Sequence, residues 1–363
     1  MPYYYPLRTR AIKDRKPIID GLARLRSGFS IPLSPEAGAA IPDRDLRSTL
    51  LLATWNIREF DSGKGGRRLD ESIYYIAEII DRFDLVALQE VREDLDALRR
   101  LMVALGKHWD FICTDVTLGR QGNGERMAFL YDTRKVKFTG LAGELVVPRE
   151  FERLQFARTP FMTSWQAGWA KFSLCTVHIF YGKSVPEDPQ RVQEIKTLVE
   201  LLGTRTRKRS VDRGGEKVEV KGENLVLLGD FNIFGREDST MAALVEDGTF
   251  SVSPVLQLLP ANADRNKHYD QIACGQYKFR FEPTERAGVF DYFQYVFRNE
   301  DAPRFDSLRG RTSFKQWRTH QMSDHLVMWQ EFRIDFADQY LEALKSEPSI
   351  GRANRGARME EAV

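Results

Sequence analysis

Several apolar runs in this 363-residue sequence end in polar side chains that packing does not require. LLATW is followed by Asn56, LVAL by Gln89 and Glu90, KFSLCTV by His178, and LVLLG by Asp230, Phe231 and Asn232. Such ends are where side chains emerge at the rim of a sheet. Strand alternation puts Val86, Leu88 and Glu90 on one face and Val226, Leu228, Asp230 and Asn232 on another, so faces that begin apolar finish in acids and amides. A buried carboxylate is costly unless neutralised, and hard oxygen donors gathered at one rim suit a hard divalent cation. Glu90, Asn56, Asp324, Asp230 and Asn232 are the candidate metal donors, with Mg²⁺ expected first and Mn²⁺ or Ca²⁺ as alternatives.

The five histidines divide by context. His108 and His320 sit in no motif and read as surface or packing residues, while His268, two residues before Asp270, reads either way. His178 closes a strand, and His325 follows Ser323 and Asp324 ahead of another. Glu125, which opens ERMAFLY, and Asp270, in YDQIA, can each accept a hydrogen bond from one histidine, fixing its tautomer and favouring its charged form. Two such imidazoles stabilise a pentacovalent phosphorane and its leaving oxygen, and a metal on the non-bridging oxygens adds Lewis-acid help. Phosphodiester cleavage needs those parts.

Bringing them together requires strands whose ends converge. LLATWN (51–56), DLVALQE (84–90), FICTDV (111–116), ERMAFLY (125–131), WAKFSLCTVHIF (169–180), ENLVLLGD (223–230), YDQIAC (269–274) and MWQEFRIDF (328–336) have strand length and composition. Between them, Leu69, Ile73, Ile76, Ala77 and Ile80 predict one helix, and Leu95, Leu98, Met102 and Leu105 a second that Gly106 ends. A third starts with Asp188 as N-cap and Pro189 at N1 and stops at Gly203. So many strands with flanking helices imply two packed sheets. The first 48 residues, rich in proline, read as an N-terminal extension with a short helix around Asp20–Arg26, followed by a catalytic domain over 49–336 and a C-terminal helix and polar tail over 337–363. The insert 205–223, RTRKRSVDRGGEKVEVKGE, reads as a solvated hairpin or loop rather than a DNA contact.

The ordered series TWNIREF (54–60), LVALQEVRE (85–93), TLGRQGNGERMAFLYD (117–132), TVH (176–178), GDFN (229–232), YDQI (269–272) and SDH (323–325) resembles that of the endonuclease/exonuclease/phosphatase superfamily, and within it deoxyribonuclease I. The resemblance covers about residues 50–335. It implies an α/β four-layer sandwich, two packed mixed β-sheets flanked by helices, with the site at one edge. It places Asn56 and Glu90 on metal and phosphate positions, Asp324 on a metal position, and Asp230 with Asn232 on a nucleophile-orienting or second-metal pair. His178 and His325 fall on the catalytic histidines with Glu125 and Asp270 as partners. Arg92 falls on a DNA-contacting arginine, a role that a rim salt bridge would fill equally well. Asn123 stands where deoxyribonuclease I has a DNA-contacting tyrosine, and that family member's disulfides have no counterpart here.

Composition narrows the setting. Apolar residues at 42% and charged residues at 29% exclude a disordered or fibrous chain. A formal charge of +2 leaves no global field for a polyanion, so any such site is local. Cys113, Cys175 and Cys274 lack zinc or redox spacing and fit a reducing compartment. With no leader-like or membrane-spanning run, a soluble cytoplasmic protein is expected, binding nucleic acid, DNA first, with no stable membrane association. The leading expectation is a DNA endonuclease. A phosphoinositide phosphatase or sphingomyelinase, which shares the catalytic motifs, is the alternative; YFQYVF (292–297) is its only candidate membrane-facing hairpin, and the alternation there fits an ordinary strand at least as well. A non-catalytic binding module ranks third, because such proteins lose a ligand or a histidine and neither is lost here.

Overall fold

The computed structural model describes residues 1–31, 38–60, 66–117, 124–151, 153, 155–213 and 216–345. Two six-stranded mixed sheets pack on each other between helical layers. The first is ordered β13 (Glu282–Phe290), β14 (Val327–Arg333), β1 (Thr49–Phe60), β2 (Leu85–Arg92), β4 (Glu125–Asp132) and β3 (Trp109–Cys113). The second is ordered β11 (Phe250–Val252), β12 (Asp270–Gly275), β10 (Leu225–Asp230), β7 (Ala170–His178), β6 (Phe161–Ala167) and β5 (Lys137–Glu144). Each is built round one parallel pair, β1 with β2 and β7 with β10, flanked by antiparallel strands. A parallel pair needs a long crossover, and helices α2 (Asp70–Ile80) and α4 (Pro189–Gly203) supply the two.

Local chemistry accounts for these helices. In α2, Ile73, Ile76, Ala77 and Ile80 are buried, and so is the rest of the helix from Glu71 onward, because α1 and α3 pack against it. Helix α3 (Asp96–Leu105) ends at Gly106, whose φ of 88° a Cβ would oppose. In α4 the Asp188 carboxylate accepts from the amides of Gln190 (3.0 Å) and Arg191 (3.3 Å). Gly203 does not end α4 by reversing its backbone; it has φ −59° and the chain runs on into a 3-10 turn. Its smallness answers a close approach of Thr249 instead.

Other expectations change. The N-terminal helix α1 spans Ile12–Phe29, with Pro17 inside it, and is far longer than a turn around Asp20–Arg26. Tertiary packing outweighs the proline: Ile18, Leu22, Leu25 and Phe29 are buried, and Gly21 and Gly28 let the helix close on Tyr75 and Tyr295. YFQYVF is neither a strand nor an exposed hairpin. Tyr292–Gln294 form a 3-10 turn, and Tyr292, Phe293, Val296 and Phe297 are all buried. The insert does form a hairpin, β8 (Arg209–Arg213) with β9 (Glu216–Val220), and it precedes β10, at the end of that strand away from Asp230. Short helices α5 (Ser239–Val245) and α6 (Pro254–Leu258) bracket β11, α7 (Asp306–Arg309) and α8 (Phe314–Gln321) fill the segment before β14, and α9 (Ala337–Leu344) closes the described chain. Asn123, the loop around it and the tail from 346 onward lie outside the described residues.

Candidate active site

Strand register assembles the site. Asp230, the last residue of β10, sits opposite His178 on β7 and opposite Asp270 on β12, so three distant residues form one row at the sheet edge. Glu90 arrives differently. Regular alternation does not deliver it; the pairing of β2 with β4 shifts between Leu88 and Val91, and Glu90 takes φ 61°. Glu59 (φ 43°) and Asn232 (φ 53°) share this left-handed geometry, which costs a non-glycine residue about 1–3 kcal/mol and concentrates at functional sites. Around them opens a cavity of about 470 Å³, lined by Glu90, Glu125, His178, Asp230, Asn232, Asp324 and His325. Asn56 and Asp270 lie buried beneath it, bonded to lining residues.

The amide of Asn56 donates to Glu90 Oε1 and to Asp230 Oδ2, both at 2.9 Å, while the Glu59 N–H donates to Glu90 Oε2 at 2.7 Å. Asn232 contributes its backbone N–H to Asp230 Oδ1 (2.9 Å) and its side-chain amide to the Ile179 carbonyl (2.8 Å). It therefore braces Asp230. Asp324 is half-exposed and pairs with Arg58 at 3.5 Å.

Each histidine is backed by a carboxylate from the other sheet. His325 Nδ1 lies 2.7 Å from Asp270 Oδ2 in a directed hydrogen bond. His178 Nδ1 lies 3.0 Å from Glu125 Oε2, but in poorer alignment. The opposite nitrogens converge: His178 Nε2 is 3.5 Å and His325 Nε2 is 3.7 Å from the same oxygen, Asp230 Oδ2. Burial pushes the Asp270 carboxyl up to about 6, with Asp230 adding to the shift and His325 opposing it. His325 goes well above its ordinary 6.5, because Asp270 and Asp230 outweigh the cost of its burial. Burial also opposes ionisation of Glu125, yet His178, Arg158 and Arg92 overcome it and bring its pKa down to about 2.

The backbone of His325 is pinned. The Trp55 indole donates to its carbonyl at 3.0 Å, and the Tyr292 hydroxyl lies 2.7 Å from the same oxygen and 2.9 Å from the Ser323 carbonyl. The Ser323 hydroxyl donates to the Asn56 carbonyl (2.6 Å) and accepts from the N–H of His325 (3.0 Å) and Arg58 (3.2 Å), tying β1 to the SDH turn.

Sequence reasoning missed Arg158, Tyr181, Tyr269, Arg58 and Glu59, which line the cavity too. Arg158 donates to Glu125 Oε2 at 2.7 Å from irregular chain ahead of β6, and its one sequence signal is a lone arginine in FARTPF. Arg92 sits 3.5 Å from Glu59 and 3.9 Å from Glu125, the salt-bridge geometry of the two readings offered for it. His108, His268 and His320 do not line the cavity.

Among the described residues no three His, Cys, Asp or Glu side chains converge as a closed metal site. Mg²⁺ does not need one, since it takes one or two carboxylates and fills its shell with water and substrate oxygens. The residues present fit that pattern: Asn56 Oδ1 is buried without a hydrogen-bond partner beside the Glu90 carboxylate. No helix among the described residues is long and apolar enough to cross a membrane.

The sequence pattern of the endonuclease/exonuclease/phosphatase family matches residues 53–248, more than half of the chain. An endonuclease/exonuclease/phosphatase family protein from Bacteroides thetaiotaomicron superposes with TM-score 0.52 at 17% identity, covering 79% of this chain and 98% of that one. D. rerio TDP2 complexed with single strand DNA product gives 0.52 at 13%, covering 78% and 98%, and the human Nocturnin catalytic domain with bound sulfate gives 0.50 at 15%, covering 80% and 96%. At such identities the likeness shows the fold alone. No curated protein matches the sequence.

Proposed function

The chain belongs to the endonuclease/exonuclease/phosphatase family, and from that premise we propose that it is a divalent-metal-dependent phosphodiesterase acting on DNA. One observation carries the reading: two acid-backed imidazoles point their free nitrogens at a single carboxylate oxygen, Asp230 Oδ2, at 3.5 and 3.7 Å. Where two N–H donors converge, the oxygens of a phosphodiester can be gripped from two sides as charge builds. The Asp230 carboxylate, braced by Asn56 and Asn232, orients water and takes its proton. Either His325 or His178 protonates the departing 3′-oxygen while the other steadies the phosphorane, leaving a 5′-phosphate product. Glu90 and Asn56 would hold the cation, which when bound supplies Lewis-acid polarisation of the phosphate. Arg58, Arg92 and Arg158 line the same cavity and suit a polyanion. The DNA product on D. rerio TDP2 supports DNA as substrate by analogy of fold.

The lipid-substrate alternative shares the catalytic motifs but loses its one candidate membrane-facing hairpin beside the site, because Tyr292, Phe293, Val296 and Phe297 of YFQYVF are buried. The test is nicking of supercoiled plasmid by the full chain with Mg²⁺, with Mg²⁺ plus EDTA, and with Asp230→Ala. Nicking only in the first supports the proposal. Intact plasmid together with hydrolysis of inositol phosphates or sphingomyelin replaces it with the alternative.

A further inference from the structure

The first 31 residues lie outside the matched family region and concentrate two properties. They carry seven of the chain's lysines and arginines against two aspartates, in a protein whose overall charge is +2, so the remainder is net acidic. They also hold six of the nineteen exposed large apolar side chains among the described residues: Met1, Tyr3, Tyr5, Ile12, Ile19 and Ile31. One twelfth of the chain thus carries about a third of its exposed apolar groups.

The helix organises them. Ile18, Leu22, Leu25 and Phe29 face the body, whereas Ile12, Lys16, Ile19 and Ala23, at i, i+4, i+7 and i+11, form a separate, solvent-exposed stripe. Ile12 is 69% and Ile19 48% exposed. Beside this stripe runs a groove of about 710 Å³ with Leu7, Leu22 and Ile19 among its apolar walls and Arg8, Arg15 and Arg26 among its basic ones. Arg15 is braced on the Arg8 carbonyl (3.2 Å) and Arg26 on Glu78 (2.7 Å). Among the described residues, no ion pair or hydrogen bond engages the amines of Lys13 or Lys16. Tyr3 and Tyr5 stand exposed on the chain leading into α1, their rings 6.1 Å apart.

We propose that this surface is a peripheral docking face for an anionic phospholipid membrane, with the aliphatic stripe and tyrosines entering the headgroup boundary and the arginines and lysines meeting lipid phosphates. Charge complementarity selects an anionic partner, and the interleaved aliphatic and aromatic groups select a lipid boundary over a nucleic-acid backbone, which offers isoleucine nothing to bury against. The expectation of no stable membrane association rested on the lack of any bilayer-spanning run. Peripheral docking needs only a face, and that face exists once the long α1 forms. The inference is independent of the chemistry assigned to the cleft.

The experiment is co-sedimentation of the full chain with vesicles of phosphatidylcholine alone or with phosphatidylglycerol, at low and high salt, alongside binding to duplex DNA. Binding to the phosphatidylglycerol vesicles only, weakened by salt, is the expected result. Each basic residue reversed should weaken it at least about fivefold, tested in Arg8→Glu with Lys16→Glu. Ile12→Ser with Ile19→Ser should weaken it at least about tenfold. Both pairs are solvent-facing, so the melting temperature and hydrolysis of bis(p-nitrophenyl) phosphate should match the parent. Absence of vesicle binding, vesicle binding indifferent to all four substitutions, or DNA binding or self-association lost by them in its place overturns the proposal.

Discussion

The two histidine–carboxylate pairs are built as opposites. His178 stands on β7 in the second sheet and leans on Glu125 of β4 in the first; His325 precedes β14 of the first sheet and leans on Asp270 of β12 in the second. Each pair therefore bridges the sandwich, but their surroundings differ. Glu125 is shared among His178, Arg158 and Arg92, and remains a fixed anion. Asp270 is fully buried, its second oxygen has no partner, and the charge nearest it is His325 itself. One carboxylate is a node in a cationic network and the other is committed to a single proton. The first arrangement should matter more for stability, the second for proton delivery.

The largest expected effect tests whether both imidazoles act on one phosphate. His325→Ala and His178→Ala should each lower kcat by about 10²–10⁴-fold, and the double variant should fall little further, because residues acting as a unit are not additive. A near-parental rate for either single variant in a plasmid-nicking time course removes that histidine from the chemistry.

The next prediction separates the carboxylates. Asp270→Asn keeps the shape but withdraws the charge that raises His325, so the alkaline limb of the pH–rate profile should move to lower pH and kcat should drop about 10²–10⁴-fold. Glu125→Gln strands buried Arg158 and should cost about 3–5 kcal/mol of stability. Denaturant melts of the two variants read the contrast directly, and equal destabilisation would erase it.

A smaller effect sharpens the comparison at His325 alone. Tyr292→Phe removes one hydroxyl from the His325 and Ser323 carbonyls, worth about 0.5–1.5 kcal/mol, and should lower kcat several-fold with KM unchanged. A change confined to KM would show that Tyr292 does not position the imidazole. The pair at His178 has its own signature in acid stability. Glu125 is depressed to about 2 from an ordinary 4.5, so its contribution is complete above about pH 4.5 and is lost as pH falls towards 2. Glu125→Gln should flatten the acid-unfolding curve in that window.

The motif ends were legible because strand length and polarity are local. Asn56, Glu90, His178, Asp230 and His325 stand out as polar residues closing or preceding apolar runs, and all meet at one cavity or directly beneath it. Arg158 was not legible, since irregular chain has no period to break. Glu90 was found by an argument that the structure replaces: alternation suggested its direction, but a bulge with a left-handed φ sets it. YFQYVF and α1 were misjudged for one reason. Both are decided by what lies against them, the aromatic core around Trp55 and Tyr75 respectively.

By itself the sequence determined which residue types were available, where the apolar strands began and ended, and which helices capped themselves, because alternation, capping and proline geometry act over a few neighbouring residues. Only the tertiary structure decided that Asp230 would stand between His178 and Asp270, that Tyr292 would hold His325, and that α1 would turn a basic aliphatic face to solvent. Those outcomes depend on register and packing between segments far apart in the chain, and no local preference encodes such a distance.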